Sequence, residues 1–271
     1  MDLAILALQS AIIFGVAFVY SNLGLGGGLL FVPILLSTGV PRSDVAVPIS
    51  LTLTIATAAS SVINHHRHGS VAYRLGGILV AGALAGSLLG TFFTLFVLDE
   101  RGFKAFFVGV LAVFGAYMFR DWFADERSID ADDDSKMTSS RLAGTAAATT
   151  GSGFLSGSMG IGGGLLNVPL LVYGLGRRTR LAIGTSSLLI IPTAAVGFAA
   201  YVAEPIGSGG SFAVPPEFSL IPILMPVVFV GAYLGSRWGL RRLKTRSVAL
   251  IFILVLFIAA AKLAADLATG S

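Results

Sequence analysis

Two stretches decide the fold: Gly24-Leu-Gly-Gly-Gly-Leu-Leu-Phe-Val-Pro33 and Gly160-Ile-Gly-Gly-Gly-Leu-Leu-Asn-Val-Pro169, identical at eight of ten positions and offset by 136 residues. Apolar composition alone does not produce such a match, so the chain reads as two homologous halves. The correspondence continues with Ala46 against Ala182 and Ser50 against Ser186, and more loosely with Gly82 and Gly86 against Gly231 and Gly235. The boundaries that follow are an N-terminal repeat over 1–119, a polar linker over 120–141 containing Asp132-Asp-Asp134, and a C-terminal repeat over 142–271.

The solvent of these halves follows from composition. Of 271 residues, 55% are hydrophobic and 12% charged, about half the charged fraction of a soluble domain. Leu3 to Tyr20, Leu75 to Leu98, Ala105 to Phe119 and Ser247 to Ala261 carry no Asp, Glu, Lys or Arg. Runs of this length match a hydrocarbon core, where a spanning chain must be helical or a closed barrel. They lack the two-residue alternation of barrel strands, which leaves an all-α polytopic membrane protein, multi-pass in a cell membrane. The net charge of +4 comes from Lys and Arg in short loops, where they set orientation and do not form a nucleic-acid surface. With no cysteine, disulfides, thiolate nucleophiles and Cys metal sites are excluded. Asp2 replaces a basic n-region, so the N-terminus reads as mature structure.

Each half offers about five helical elements. The first two (4–21 with 24–37, and 142–157 with 161–175) read as a Gly-broken hairpin, re-entrant or fully spanning. An odd number of crossings per half predicts inverted repeats. Inversion places 14 of the 18 Lys and Arg on one side, against 11 for a parallel arrangement.

The glycine turns remove side chains at helix starts and free backbone N–H groups for a ligand. Helix N-termini also carry partial positive charge. Two such termini meeting near the midplane would bind an anion without an intramembrane Arg or Lys. The candidates are Gly24, Gly26, Gly27 and Gly28 with Gly160, Gly162, Gly163 and Gly164. Ser21, Asn22, Ser158 and Asn167 flank the turns, and Ser50, Thr185 and Ser186 supply hydroxyls on the next helix. The plainer alternative for the glycines is close helix packing; that is the preferred reading of Gly82, Gly86, Gly90, Gly231 and Gly235. Pro33 and Pro169 predict kinks. His65, His66 and His68 crowd beside Arg67 without a carboxylate, which suits a solvated cationic loop better than a metal site. The apolar cores lack the carboxylate of a proton relay. No buried Ser–His pair is available, and the glycine turns lack the Lys-Ser or Lys-Thr of a phosphate loop. No cofactor, metal site or catalytic residue is expected.

The paired Gly-x-Gly-Gly-Gly-x-x-x-Val-Pro motif, each copy followed by Ala-x-x-x-Ser, resembles the TauE/SafE sulfite exporter family of membrane permeases over residues 10 to 262. That resemblance implies a transporter of small sulfur-containing anions such as sulfite or organosulfonates, with the eight motif glycines as candidate site residues. The copies differ where Phe31 faces Asn167 and Pro48 faces Gly184, which points to polar contacts weighted to the second half. The expected partners are a small anion and the lipid bilayer, with a homodimer possible. An anion channel and a non-transporting membrane scaffold or sensor are the alternative functions.

Overall fold

A computed structural model describes residues 3–40, 43–123, 131–203, 215–242 and 245–269. Among them the regular elements are helices only: α1 Leu3–Tyr20, α2 Gly28–Ser37, α3 Ser43–Arg67, α4 Tyr73–Phe96 and α5 Glu100–Phe123, then α6 Ser139–Met159, α7 Gly164–Pro169, α8 Thr179–Ala203, α9 Ile221–Arg242 and α10 Thr245–Thr269. The five-element order thus occurs twice. A π-helical turn, Leu170–Gly174, follows Pro169 directly, as expected where proline withholds an N–H from the ladder. Leu3–Tyr20, Ser43–Arg67, Tyr73–Phe96, Thr179–Ala203 and Pro216–Trp238 are each long and apolar enough to cross a membrane. Large apolar side chains such as Leu3, Leu89, Val113, Trp238 and Ile258 face outward, while hydroxyls such as Ser50, Thr57, Ser60, Ser87, Ser156 and Ser186 are fully buried. This distribution suits a chain whose outer surface meets lipid.

The halves exchange packing partners. Helix α4 packs on α6 and α1 on α9, while α3 packs on both α8 and α9, and α8 packs on α4. The small residues foreseen for packing make these crossings possible. Gly82, Gly86 and Gly90 lie against the carbonyls of Ala146, Thr150 and Phe154, and Gly153 and Gly157 of α6 lie in return against Ala83 and Ser87. The α1–α9 crossing repeats the device with Gly231 on Phe14 and Gly235 on Phe18. Hydroxyls and amides then tie neighbouring helices, as Thr94 does to Ser158 O (2.8 Å), Ser60 to Phe229 O (3.1 Å) and Asn64 Nδ2 to Tyr233 O (3.1 Å). Such interhelical bonds supply the association that a hydrophobic effect cannot supply in lipid.

Helices α3 and α8 run in opposite directions. Leu51 meets Gly197, Ser61 bonds Ser187 (3.0 Å) and His65 meets Gly184, so rising numbers on one helix pair with falling numbers on the other. By contrast α4 and α6 run the same way, Gly82, Gly86 and Gly90 meeting Ala146, Thr150 and Phe154 in order.

The linker aspartates Asp132 and Asp134 remain exposed, whereas one of the three histidines departs from a solvated reading. The described part of the linker docks on the loop before α8: Arg177 pairs with Asp134 (2.8 Å), and the Arg178 N–H donates to Asp132 (2.9 Å). Beside them the Ser135 hydroxyl donates to Asp133 and lowers the pKa of its carboxyl. Of the three histidines, His66 and His68 are exposed, but His65 is 2% exposed. Helix α3 continues through Arg67, and its inward face carries His65 onto Gly184.

Candidate functional site

The two glycine turns meet. Gly24, Gly26 and Gly27 have φ of 68°, 77° and 86°, and Gly160, Gly162 and Gly163 have φ of 71°, 84° and 73°. These left-handed conformations strongly favour glycine, and they recur at equivalent positions. Gly28 and Gly164, the first residues of α2 and α7, are glycine for a different reason. A Cβ on Gly28 would overlap the Gly160 carbonyl, and one on Gly164 would overlap the Gly24 carbonyl. Each helix start therefore lies against the backbone of the opposite turn.

Two equivalent serines secure this crossing. The Ser50 hydroxyl donates to Gly160 O and the Ser186 hydroxyl donates to Gly24 O, both at 2.9 Å. Each reaches from its own half to the turn of the other. One helical turn further along, Thr54 and Ile190 both face Gly26 and Gly162. Thr54 is the twelfth of the 25 residues of α3, and Ile190 is the twelfth of the 25 residues of α8. The crossing thus lies halfway along the two long central helices.

Beyond the carbonyl pairs, the first N–H groups of α2 lie outside its hydrogen-bond ladder, which begins with Leu30 and Phe31 donating to Gly27 O (3.2 and 3.4 Å). Leu166 and Asn167 repeat this on Gly163 O (both 3.2 Å). The turns therefore combine carbonyls held by hydroxyls with N–H donors outside the ladder.

The remaining candidates separate by position. Ser21 and Asn22 donate to Phe18 O (3.1 and 2.8 Å), capping the end of α1. Thr185 accepts from the Ala72 N–H (3.0 Å) at the start of α4. Ser158 is buried with its hydroxyl unpartnered, and the Asn167 side-chain oxygen is likewise buried and unpartnered. Four further side chains lie at or near the turns. Thr54 and Ile190 were legible as the positions four beyond Ser50 and Ser186, on the same helix face. Ser152, which donates to Gly163 O (2.7 Å), and Ser156 form a second four-residue pair on α6.

Loss of the securing hydroxyls gives a stability prediction. Ser186→Ala deprives the Gly24 carbonyl of its hydroxyl donor, and Ser50→Ala leaves the Gly160 carbonyl only the long 3.5 Å contact from Thr54, each a loss of about 1–3 kcal/mol. Because the two bonds hold one crossing, the double variant should depart from additivity. Thermal unfolding in detergent measures this, and wild-type stability in both single variants would contradict it.

A chain whose described regular elements are all helices, with apolar outer faces and hydroxyl-lined contacts around two central glycine turns, is a multi-pass membrane protein. The chain belongs to the TauE/SafE sulfite exporter family, whose model, described as sulfite exporter TauE/SafE, matches residues 10–263. It is 30% identical over 177 residues to a probable membrane transporter protein of Xylella fastidiosa (strain 9a5c), covering 65% of this chain and 66% of the relative. It is 25% identical over 262 residues to the probable membrane transporter protein YunE of Bacillus subtilis (strain 168), covering 88% and 89%. No solved structure matches it. The protein is a membrane transporter of this family.

Proposed function

We propose that the protein is a secondary carrier of a small anion, sulfite or an organosulfonate, which binds at the paired glycine turns near the membrane midplane and crosses by alternating access. The observation that carries this reading is the reciprocal crossing of the turns at the twelfth residue of both α3 and α8. Backbone N–H groups and the helix start of α2 supply positive potential there without a buried cation. The family's description as a sulfite exporter supports the substrate class. Saturable exchange of sulfite in proteoliposomes is the expected result; single-channel currents, or no flux of any sulfur oxyanion, would overturn the proposal.

Inverted repeats and re-entrant hairpins belong to the same proposal. Antiparallel α3 and α8 are what inversion requires of equivalent helices. At 1.5 Å per residue the ten-residue α2 covers about 15 Å, half of a ~30 Å core, which suits an arm returning from the midplane. The absence of cysteine makes the topology directly testable. Single cysteines at His68 and Arg178 should label from one side and a cysteine at Arg42 from the other; equal labelling of Arg42→Cys and Arg178→Cys from one side would sink the inversion.

A further inference from the structure

The two hairpins differ in what fills them. In the first, Tyr20 and Phe31 are core side chains, 1% and 0% exposed. At an offset of 136 the second hairpin has Ser156 and Asn167, 0% and 2% exposed. Both carry a buried polar atom without a partner, the Ser156 hydroxyl and the Asn167 side-chain oxygen. Buried polar groups are almost always paired, and each exception needs a cause. An aromatic pair has thus given way to two smaller side chains, one with an unpartnered hydroxyl and one with an unpartnered amide oxygen.

Each lies one helical turn along its helix from one contact. Ser152 donates to Gly163 O (2.7 Å), and the Asn167 N–H donates to the same carbonyl (3.2 Å). Ser156 follows Ser152 by one turn on the same face of α6. Asn167 follows Gly163 by one turn, and helical side chains lean toward the N-terminus, so its amide tilts back toward Gly163. Hydroxyl and amide are neutral groups able to donate to anionic oxygens, and an amide can present its NH2 or its carbonyl.

We infer that Ser156 and Asn167 form the side-chain part of the substrate site, taking the oxygens of a small oxyanion, while Tyr20 and Phe31 make the first hairpin a filled structural counterpart. This assignment rests on the anion-carrier reading. It makes the carrier functionally asymmetric despite its repeated backbone.

The test measures thermal stabilisation of the purified protein by sulfite, sulfate and sulfoacetate, alongside flux, in wild type, Ser156→Ala, Asn167→Leu and Tyr20→Phe. Bound ligand stabilises by mass action. Loss of one hydrogen bond to a charged group should weaken apparent affinity about tenfold or more in the first two variants, and leave Tyr20→Phe within twofold of wild type. The unliganded melting temperature should hold or rise in Ser156→Ala, because the hydroxyl removed has no protein partner. Affinities within twofold of wild type in both Ser156→Ala and Asn167→Leu, with wild-type flux intact, would overturn the assignment and spare the carrier reading. A collapse of unliganded stability in Ser156→Ala would overturn it too, marking the serine as structural. Absence of anion stabilisation and flux in the wild type would remove the carrier reading and this assignment together.

Discussion

Gly28→Ala and Gly164→Ala should each cut transport by at least an order of magnitude and lower the melting temperature. A methyl group on Gly28 would overlap the Gly160 carbonyl and lie 2.7 Å from the Ile161 Cα; on Gly164 it would overlap the Gly24 carbonyl and lie 2.7 Å from the Leu25 Cα. Backbone cannot swing aside as a side chain can, so the cost falls at or above the upper end of the ~1–3 kcal/mol typical of overpacking. The turns must separate, which also breaks the Ser50 and Ser186 bonds. The contrast is with Gly15, Gly77, Gly144 and Gly151, helical glycines with open space where a Cβ would stand. Alanine there should be neutral or stabilising by up to ~1 kcal/mol through helix propensity. Flux per reconstituted protein together with detergent unfolding checks both sets. Equal behaviour of the two sets would mean that the crossing is unimportant.

The second large effect is expected at the α4–α6 crossing. Gly86→Leu and Gly90→Leu would drive side chains into the carbonyls of Thr150 and Phe154, with the N–H groups of Phe154 and Ser158 only 2.8 Å from the first added carbon. Gly153 and Gly157 pack from the other side, leaving neither helix room to retreat. Because α4 belongs to the first half and α6 to the second, the damage should reach the assembly of the halves. We expect little monodisperse protein by size-exclusion chromatography for either variant. Gly235→Leu, against Phe18 on the α1–α9 crossing, should act alike. Normal yield and stability for all three would contradict the close crossings.

Much of this architecture was legible in the residues. The doubled glycine motif announced two turns of matching backbone conformation, and the four-spaced glycines announced close crossings, because few other residues let helix backbones touch. The pairing of α1 with α9 and of α4 with α6 was not legible. An apolar helix face states only that it avoids water, and in lipid it names no partner. His65 misled for a related reason: three histidines around an arginine look solvated until the helix period turns one of them inward. Ser50 and Ser186 read from sequence as candidate ligand hydroxyls, yet a hydroxyl has one proton, and here each donates it to the opposite turn. Ser156 lay hidden among the many small residues of α6, and its unpaired burial appears only in three dimensions.

Accessibility of the crossing itself reports directly on alternating access. Thr54 is fully buried against both turns, and the chain has no cysteine of its own, so Thr54→Cys would be its sole thiol. A carrier that opens the crossing alternately to each side predicts reaction with a membrane-impermeant thiol reagent added to either face, slowed by sulfite. Reaction from one face only, or from neither while the variant still transports, would contradict it.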